Sequence, residues 1–296
     1  MKKPVFTGAA VAIVTPFLDE NTINYDEFGK IIDHQIANGT DAIVVMGTAG
    51  ESPTCPEDEH EAAISFCCEY VGGRVPVIAG AGSNDTRTAV KLTKSAKASG
   101  ADAVLSVTPY YNKSTQRGLI AHFNAIADCE CPVILYNVPS RTGMSFTAET
   151  YKELSKHPFI NGAKEASGNF SLLAEAMALC GDEMNFWSGN DDQIVPLMSL
   201  GGKGVISVLS NVAPRAAHDM CRLCLDGKFA DAAKMQLEYL ELINALFCEV
   251  NPIPVKTALN LMGMQVGPTR MPLCEMEPEN EARLAKAMKD YGLKLA

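Results

Sequence analysis

The chain has 296 residues, of which 47% are hydrophobic and 20% charged, with a formal net charge of −10. That balance supplies ample apolar material for one large domain, such as a barrel of about 250 residues, and excludes a largely disordered chain. An acidic surface repels phosphate backbones and anionic lipid, and no apolar run approaches the roughly 20 residues of a membrane span. Neither a nucleic-acid nor a membrane partner is therefore expected.

The N-terminus, MKKPVFTGAAVAIVTPF, starts basic and turns apolar, but Pro4, Thr7 and Gly8 interrupt it. Its β-branched part reads as a first strand rather than as a signal peptide. Similar runs follow, giving eight candidate strands at 8–16, 41–48, 75–82, 102–110, 132–139, 160–166, 184–190 and 203–211. They recur about every 28 residues, enough for one strand, a helix and two short turns.

The stretches between them have helical spacing. TINYDEFGKIIDHQIANG begins at a Thr/Asn cap, repeats apolar residues at Phe28, Ile31, Ile32 and Ile36, and stops at Gly39. PEDEHEAAISFCCEYVGG places acids in its first turn and stops at Gly72 and Gly73. Most strand runs are nearly continuously apolar, as in a parallel sheet buried on both faces. Eight β-then-α units in unbroken order, with no Gly-x-Gly-x-x-Gly turn, predict a closed (β/α)₈ TIM barrel rather than an open sheet. After Val212 only helical patterns remain, at 214–227, 228–250, 252–263 and 278–295. The first closes a catalytic barrel spanning 1–227, and the others form a C-terminal helical region, 228–296.

Ten cysteines are scattered through apolar stretches and read as small buried side chains in a reducing compartment, so a cytoplasmic location is expected. Cys221 and Cys224 have metal-like spacing. No second Cys pair or His pair completes the four ligands that zinc needs, and positions three apart share one helix face, toward the core.

In such a barrel, chemistry belongs at the C-terminal strand ends. Those ends contain no His and no carboxylate triad, so metal-dependent hydrolysis is not expected. They do contain Lys164 on the sixth strand. A lysine on a buried strand is expensive to keep charged, and its neutral amine can attack a carbonyl to form a Schiff base. The plainer reading pairs it with a buried carboxylate, but the adjacent Glu165 points to the opposite face. Tyr136, at the end of the neighbouring strand, is either a proton carrier or a packing residue. Arg141, in a Pro-Ser-Arg-Thr-Gly loop, suits a substrate carboxylate or a surface ion pair. Gly47-Thr48-Ala49-Gly50 is either an anion-binding nest or an ordinary tight turn. GGKG at 201–204 lacks the spacing of a phosphate loop.

Taken together, GTAGESPT (47–54), VTPYYNK (107–113), YNVPSRTG (136–143), GAKEASG (162–168), GGKGVISV (201–208) and NPIPVK (251–256) resemble the pyruvate-dependent class I aldolase family that includes dihydrodipicolinate synthase and N-acetylneuraminate lyase. The resemblance covers nearly the whole chain. It implies that Lys164 forms an imine with pyruvate, with Tyr136, Thr48 and Tyr111 as proton relay and no cofactor or metal. It further implies that Tyr111 comes from a neighbouring subunit, hence a homo-oligomer of at least two chains, with a tetramer built as a dimer of dimers expected. Ala49 stands at the pyruvate carboxylate, the Ile206 carbonyl near the substrate, and Arg141 on the carboxylate of aspartate semialdehyde. The implied reaction is condensation of pyruvate with that semialdehyde. The alternatives are an aldolase for a sugar acid or hydroxy-oxo acid, and a barrel that binds an oxo acid without turnover.

Two departures stand out. Ala49 replaces the family's second threonine, removing a hydroxyl whose loss costs on the order of 1 kcal/mol. In lysine-inhibited relatives an allosteric cleft at the dimer interface holds the amino acid. Ser52, His60, Asn84 and Tyr110 are compatible with that cleft, whereas Glu57 stands in place of a histidine and Thr88 in place of a glutamate.

Overall fold

The computed structural model describes residues 2–296. Eight parallel strands close into a barrel: β1 (Gly8–Ala12), β2 (Ala42–Val45), β3 (Val77–Gly80), β4 (Ala103–Val107), β5 (Val133–Asn137), β6 (Ile160–Glu165), β7 (Asn185–Ser188) and β8 (Gly204–Ser207). Closure is made where β1 pairs with both β2 and β8. All eight candidate strands lie where the sequence puts them, with ragged ends trimmed to the hydrogen-bonded part. The architecture is a TIM barrel.

Side chains alternate between two apolar layers, as the period of a strand requires. Ala10, Ala12, Val44, Leu105, Ile134, Tyr136, Trp187 and Ile206 fill the barrel interior. Val11, Ile43, Val45, Val104, Val133, Leu135, Ala163 and Phe186 face outward, against helix residues such as Phe28, Ile64, Phe123 and Tyr151. This two-sided burial explains the unbroken apolar runs. Cys221 and Cys224 are buried on one face of the helix Pro214–Leu225, packed against Ala9 and Val205.

Helix starts follow the caps. The side chains of Asn24, Asp85, Thr115, Thr147 and Asn169 each accept a hydrogen bond from a backbone N–H three residues on. Each satisfies a donor that the first helical turn leaves free.

Three local expectations need correction. Phe17–Asp19 and Thr22–Ile23 form a small antiparallel hairpin, so the first helix begins only at Tyr25. The helical stretch read at 228–250 is two helices, Phe229–Glu238 and Leu240–Ala245, broken at Tyr239. There the Tyr239 ring stacks on Tyr291, and the second segment turns to pack Leu242 and Ile243 beside the last helix, Pro278–Asp290. Tertiary packing has overridden an uninterrupted local propensity. The Pro-Ser-Arg-Thr-Gly loop is a single helical turn, Pro139–Thr142, with proline at its start and Gly143 left-handed at its end.

At the N-terminal end of the barrel, Phe6 stacks on Trp187 with ring centroids 5.1 Å apart, and the Trp187 indole N–H donates to the Phe6 carbonyl at 3.3 Å. Phe6→Ala opens a cavity under the interior layer and is expected to cost about 3–5 kcal/mol. Trp187 is the single tryptophan, so its fluorescence reports the shifted denaturation midpoint directly.

Candidate active site

Lys164 occupies the interior face of β6, near the C-terminal end of the barrel, and is 6% exposed. Its β5 partner in register is Tyr136, and its ammonium lies 4.4 Å from the centre of that ring. On the other side, Gly189 leaves room for the side chain: a Cβ there would come within 3.0 Å of Lys164 Cε and 2.6 Å of Ala166 Cβ.

Glu165 faces outward, away from the lysine. Its carboxylate accepts from the Tyr151 hydroxyl at 2.7 Å, from Asn137 Nδ2 at 3.0 and 3.1 Å, and from the Ser167 amide at 2.7 Å. Burial and this carboxylate together push the Tyr151 phenol well above its usual range. Asp191, also buried, accepts from the Val208 and Leu209 amides and so fixes the turn after β8; burial raises its carboxyl.

The turn after β2 carries Thr48 and Ala49 between two non-glycine residues in the left-handed region, Met46 (φ 54°) and Glu51 (φ 56°). Within it the Gly50 amide donates to the Gly47 carbonyl and the Glu51 amide to the Thr48 carbonyl. Among the described residues nothing accepts from the Thr48 or Ala49 amides, which leaves both to meet an anion. The Ala49 methyl is buried in the interior layer.

Thr48, Ala49, Tyr136, Arg141 and Lys164 line one cavity of about 180 Å³. Ser140, Asn190, Phe247 and Asn251 also line it. Arg141 is exposed, and its Nη2 donates to the Asn251 carbonyl at 3.1 Å. Two candidate residues lie apart from this group. Ile206 faces the barrel interior without reaching the cavity wall, which Val208 lines instead. Tyr111 stands 93% exposed on the surface, left-handed at φ 68°.

Sequence reasoning missed Asn190, Phe247 and Asn251. Asn190 lies two residues past the end of β7, so reading that strand end more fully would have found it. Phe247 and Asn251 arrive from beyond the barrel by long-range packing; NPIPVK at 251–256 marked the second segment without giving Asn251 a place in the site.

The model of the dihydrodipicolinate synthetase family matches residues 5–291. The chain belongs to this family. It is 55% identical to the 4-hydroxy-tetrahydrodipicolinate synthase of Lachnoclostridium phytofermentans, over 98% of this chain and 99% of the relative. The crystal structure of dihydrodipicolinate synthase from Aquifex aeolicus is 44% identical with a TM-score of 0.96, covering 98% of this chain and 99% of that one. The synthase from Cyanidioschyzon merolae, solved with lysine bound, is 40% identical with a TM-score of 0.96, covering 99% and 100%.

A second cavity of about 420 Å³ adjoins the first and shares Thr48, Tyr136 and Arg141 in its wall. Ser52, Glu57, His60, Thr88 and Tyr110 line it. Asn84 sits at its edge, donating from Nδ2 to the Tyr110 carbonyl at 3.2 Å. His60 is buried with both ring nitrogens unpartnered, and burial favours its neutral form. The Thr88 hydroxyl donates to Asp85 at 3.0 Å, and Glu57 is paired with Lys91.

Tyr151→Phe removes one charge-assisted hydrogen bond from Glu165 while Asn137 and Ser167 remain. The expected loss is about 1.5–3 kcal/mol, read as a lower urea midpoint at unchanged slope.

Proposed function

We propose that the Lys164 amine attacks the keto carbon of pyruvate, loses water to give an imine, and yields an enamine when a methyl proton leaves. The overall reaction is condensation of pyruvate with L-aspartate 4-semialdehyde to 4-hydroxy-tetrahydrodipicolinate, on the route to diaminopimelate and lysine, and the enzyme is a lyase. The enamine carbon bonds to the semialdehyde aldehyde carbon. The substrate amine then adds to the imine carbon and displaces Lys164 as the ring closes.

The observation that carries this reading is a buried lysine, registered beside a tyrosine, in the wall of a cavity also lined by Thr48, Ala49 and Arg141. Tyr136 and Thr48 move protons to and from the carbinolamine. The free amides of Thr48 and Ala49 hold the pyruvate carboxylate, so the hydroxyl missing at Ala49 weakens rather than abolishes the contact. Arg141, preset by the Asn251 carbonyl, receives the carboxylate of the semialdehyde.

Tyr111 completes the relay from a neighbouring subunit. Its 93% exposure on a single chain fits that role, under which the active form is at least a dimer and, by this reading, a tetramer. The cytoplasm, where thiols stay reduced, suits its ten free cysteines.

Borohydride added with pyruvate is expected to attach one pyruvate-derived mass per chain, located at Lys164 by peptide mapping and absent from Lys164→Ala. The untreated enzyme should turn over pyruvate with the semialdehyde and leave N-acetylneuraminate uncleaved. An adduct retained in Lys164→Ala would move the chemistry to another amine.

The second cavity is the counterpart of a lysine-binding cleft. Glu57 is the one carboxylate in its wall and is already paired with Lys91, while the Thr88 hydroxyl is committed to Asp85. An amino-acid ammonium group therefore lacks a free acidic partner, a loss of about 1.5–3 kcal/mol or roughly tenfold to hundredfold in affinity. A titration with L-lysine should show weak or absent inhibition at sub-millimolar concentration, and Thr88→Glu should strengthen it.

A further inference from the structure

Outside the walls of the two cavities described above, one cluster of buried charge is unaccounted for by the chemistry. Lys256 and Glu51 form an ion pair at 2.8 Å whose side chains are 2% and 0% exposed. The other Glu51 oxygen accepts from the Arg270 amide at 2.8 Å. Lys256 also donates to the Pro268 carbonyl and lies 4.2 Å over the Phe17 ring. The Arg270 guanidinium covers the same ring at 4.0 Å and reaches Glu59.

A buried pair of this kind is a poor source of stability, because desolvating two charges consumes most of their mutual attraction. Its location is more telling. Glu51 follows Thr48 by three residues and closes the turn in a left-handed conformation, with its carbonyl accepting from Thr54. From the barrel side, the Thr15 hydroxyl donates to the Gly50 carbonyl at 2.7 Å. The turn is thus tethered just past Ala49, while the Thr48 and Ala49 amides stay uncommitted. The segment that supplies Lys256 also supplies Asn251, whose carbonyl holds Arg141. One stretch beyond the barrel therefore grips both substrate-facing turns.

We propose that Lys256, acting through Glu51, is a positioning residue for Thr48 and Ala49, fixing where their amides and hydroxyl meet pyruvate. This rests on the assignment of pyruvate to that turn. It predicts an effect on one substrate only, because Arg141 is held through a backbone carbonyl that substitution at Lys256 leaves in place.

The test is the double variant Glu51→Gln/Lys256→Met, which removes both charges at similar volume and leaves no lone ion buried. The expected outcome is a folded protein whose melting temperature lies within a few degrees of wild type, with the pyruvate KM raised and kcat lowered by about tenfold each and the semialdehyde KM unchanged. A purely structural role would instead lower the melting temperature or yield and leave both KM values of the folded fraction at wild type. That result, or a double variant with wild-type kinetics, overturns the proposal. Should the double variant not accumulate, Glu51→Asp keeps the charge but withdraws the carboxylate by one methylene, and the same pyruvate-selective change is required of it. Wild type assayed alongside separates the two readings: no pyruvate adduct there would remove the catalytic assignment, whereas a normal wild type with an unaffected variant removes only the positioning role.

Discussion

The site depends on keeping one amine inside an apolar barrel. Among the neighbours of Lys164 are the Tyr136 ring, Ala166 and the bare backbone of Gly189. Only 6% of the residue is exposed there. The interior below it is packed with Trp187 and Phe6, and the open side faces the cavity. A small molecule therefore has one direction of approach to the amine, through the cavity.

Holding that amine still requires that its strand not slide, and the outward face of the same strand supplies the lock. Glu165 is also buried, but four hydrogen bonds from three residues solvate its carboxylate. Adjacent residues on one strand thus differ sharply: the carboxylate facing the helices is fully hydrogen-bonded, and the amine facing the interior lies in the cavity wall. A pairing between Lys164 and Glu165, conceivable from composition, is ruled out by the alternation of the strand. Asn137 joins the two halves, since it bonds Glu165 and directly follows Tyr136.

Much of this was legible in sequence because it is written in local period. The strands announce themselves as β-branched runs, and Lys164 is conspicuous as a cation within one. Features set by distant contacts were not legible. Nothing local marks the break at Tyr239, which comes from packing against Tyr291. The hairpin at 17–23 is too short to show a period, and its first residue is fixed by the Val266 carbonyl. Glu51 and Lys256 are 205 positions apart, and each alone reads as an ordinary surface charge. Pro139 and Gly143 did signal a turn, but proline and glycine bracket loops and single helical turns alike.

The turn after β2 shows how these two scales meet. Left-handed backbone at Met46 and Glu51 costs on the order of 1 kcal/mol or more at each residue, and no glycine relieves it there. Gly80 explains part of the constraint: a Cβ at Gly80 would lie 2.0 Å from the Met46 carbonyl, so the turn is pressed against β3. Thr15 ties Gly50 from inside, and the Glu51 carboxylate is held from the far end of the chain. A relaxed turn in this position would satisfy the Thr48 and Ala49 amides within itself. The strain, and the long-range contacts that hold it, are what leave those two donors without an acceptor in the turn.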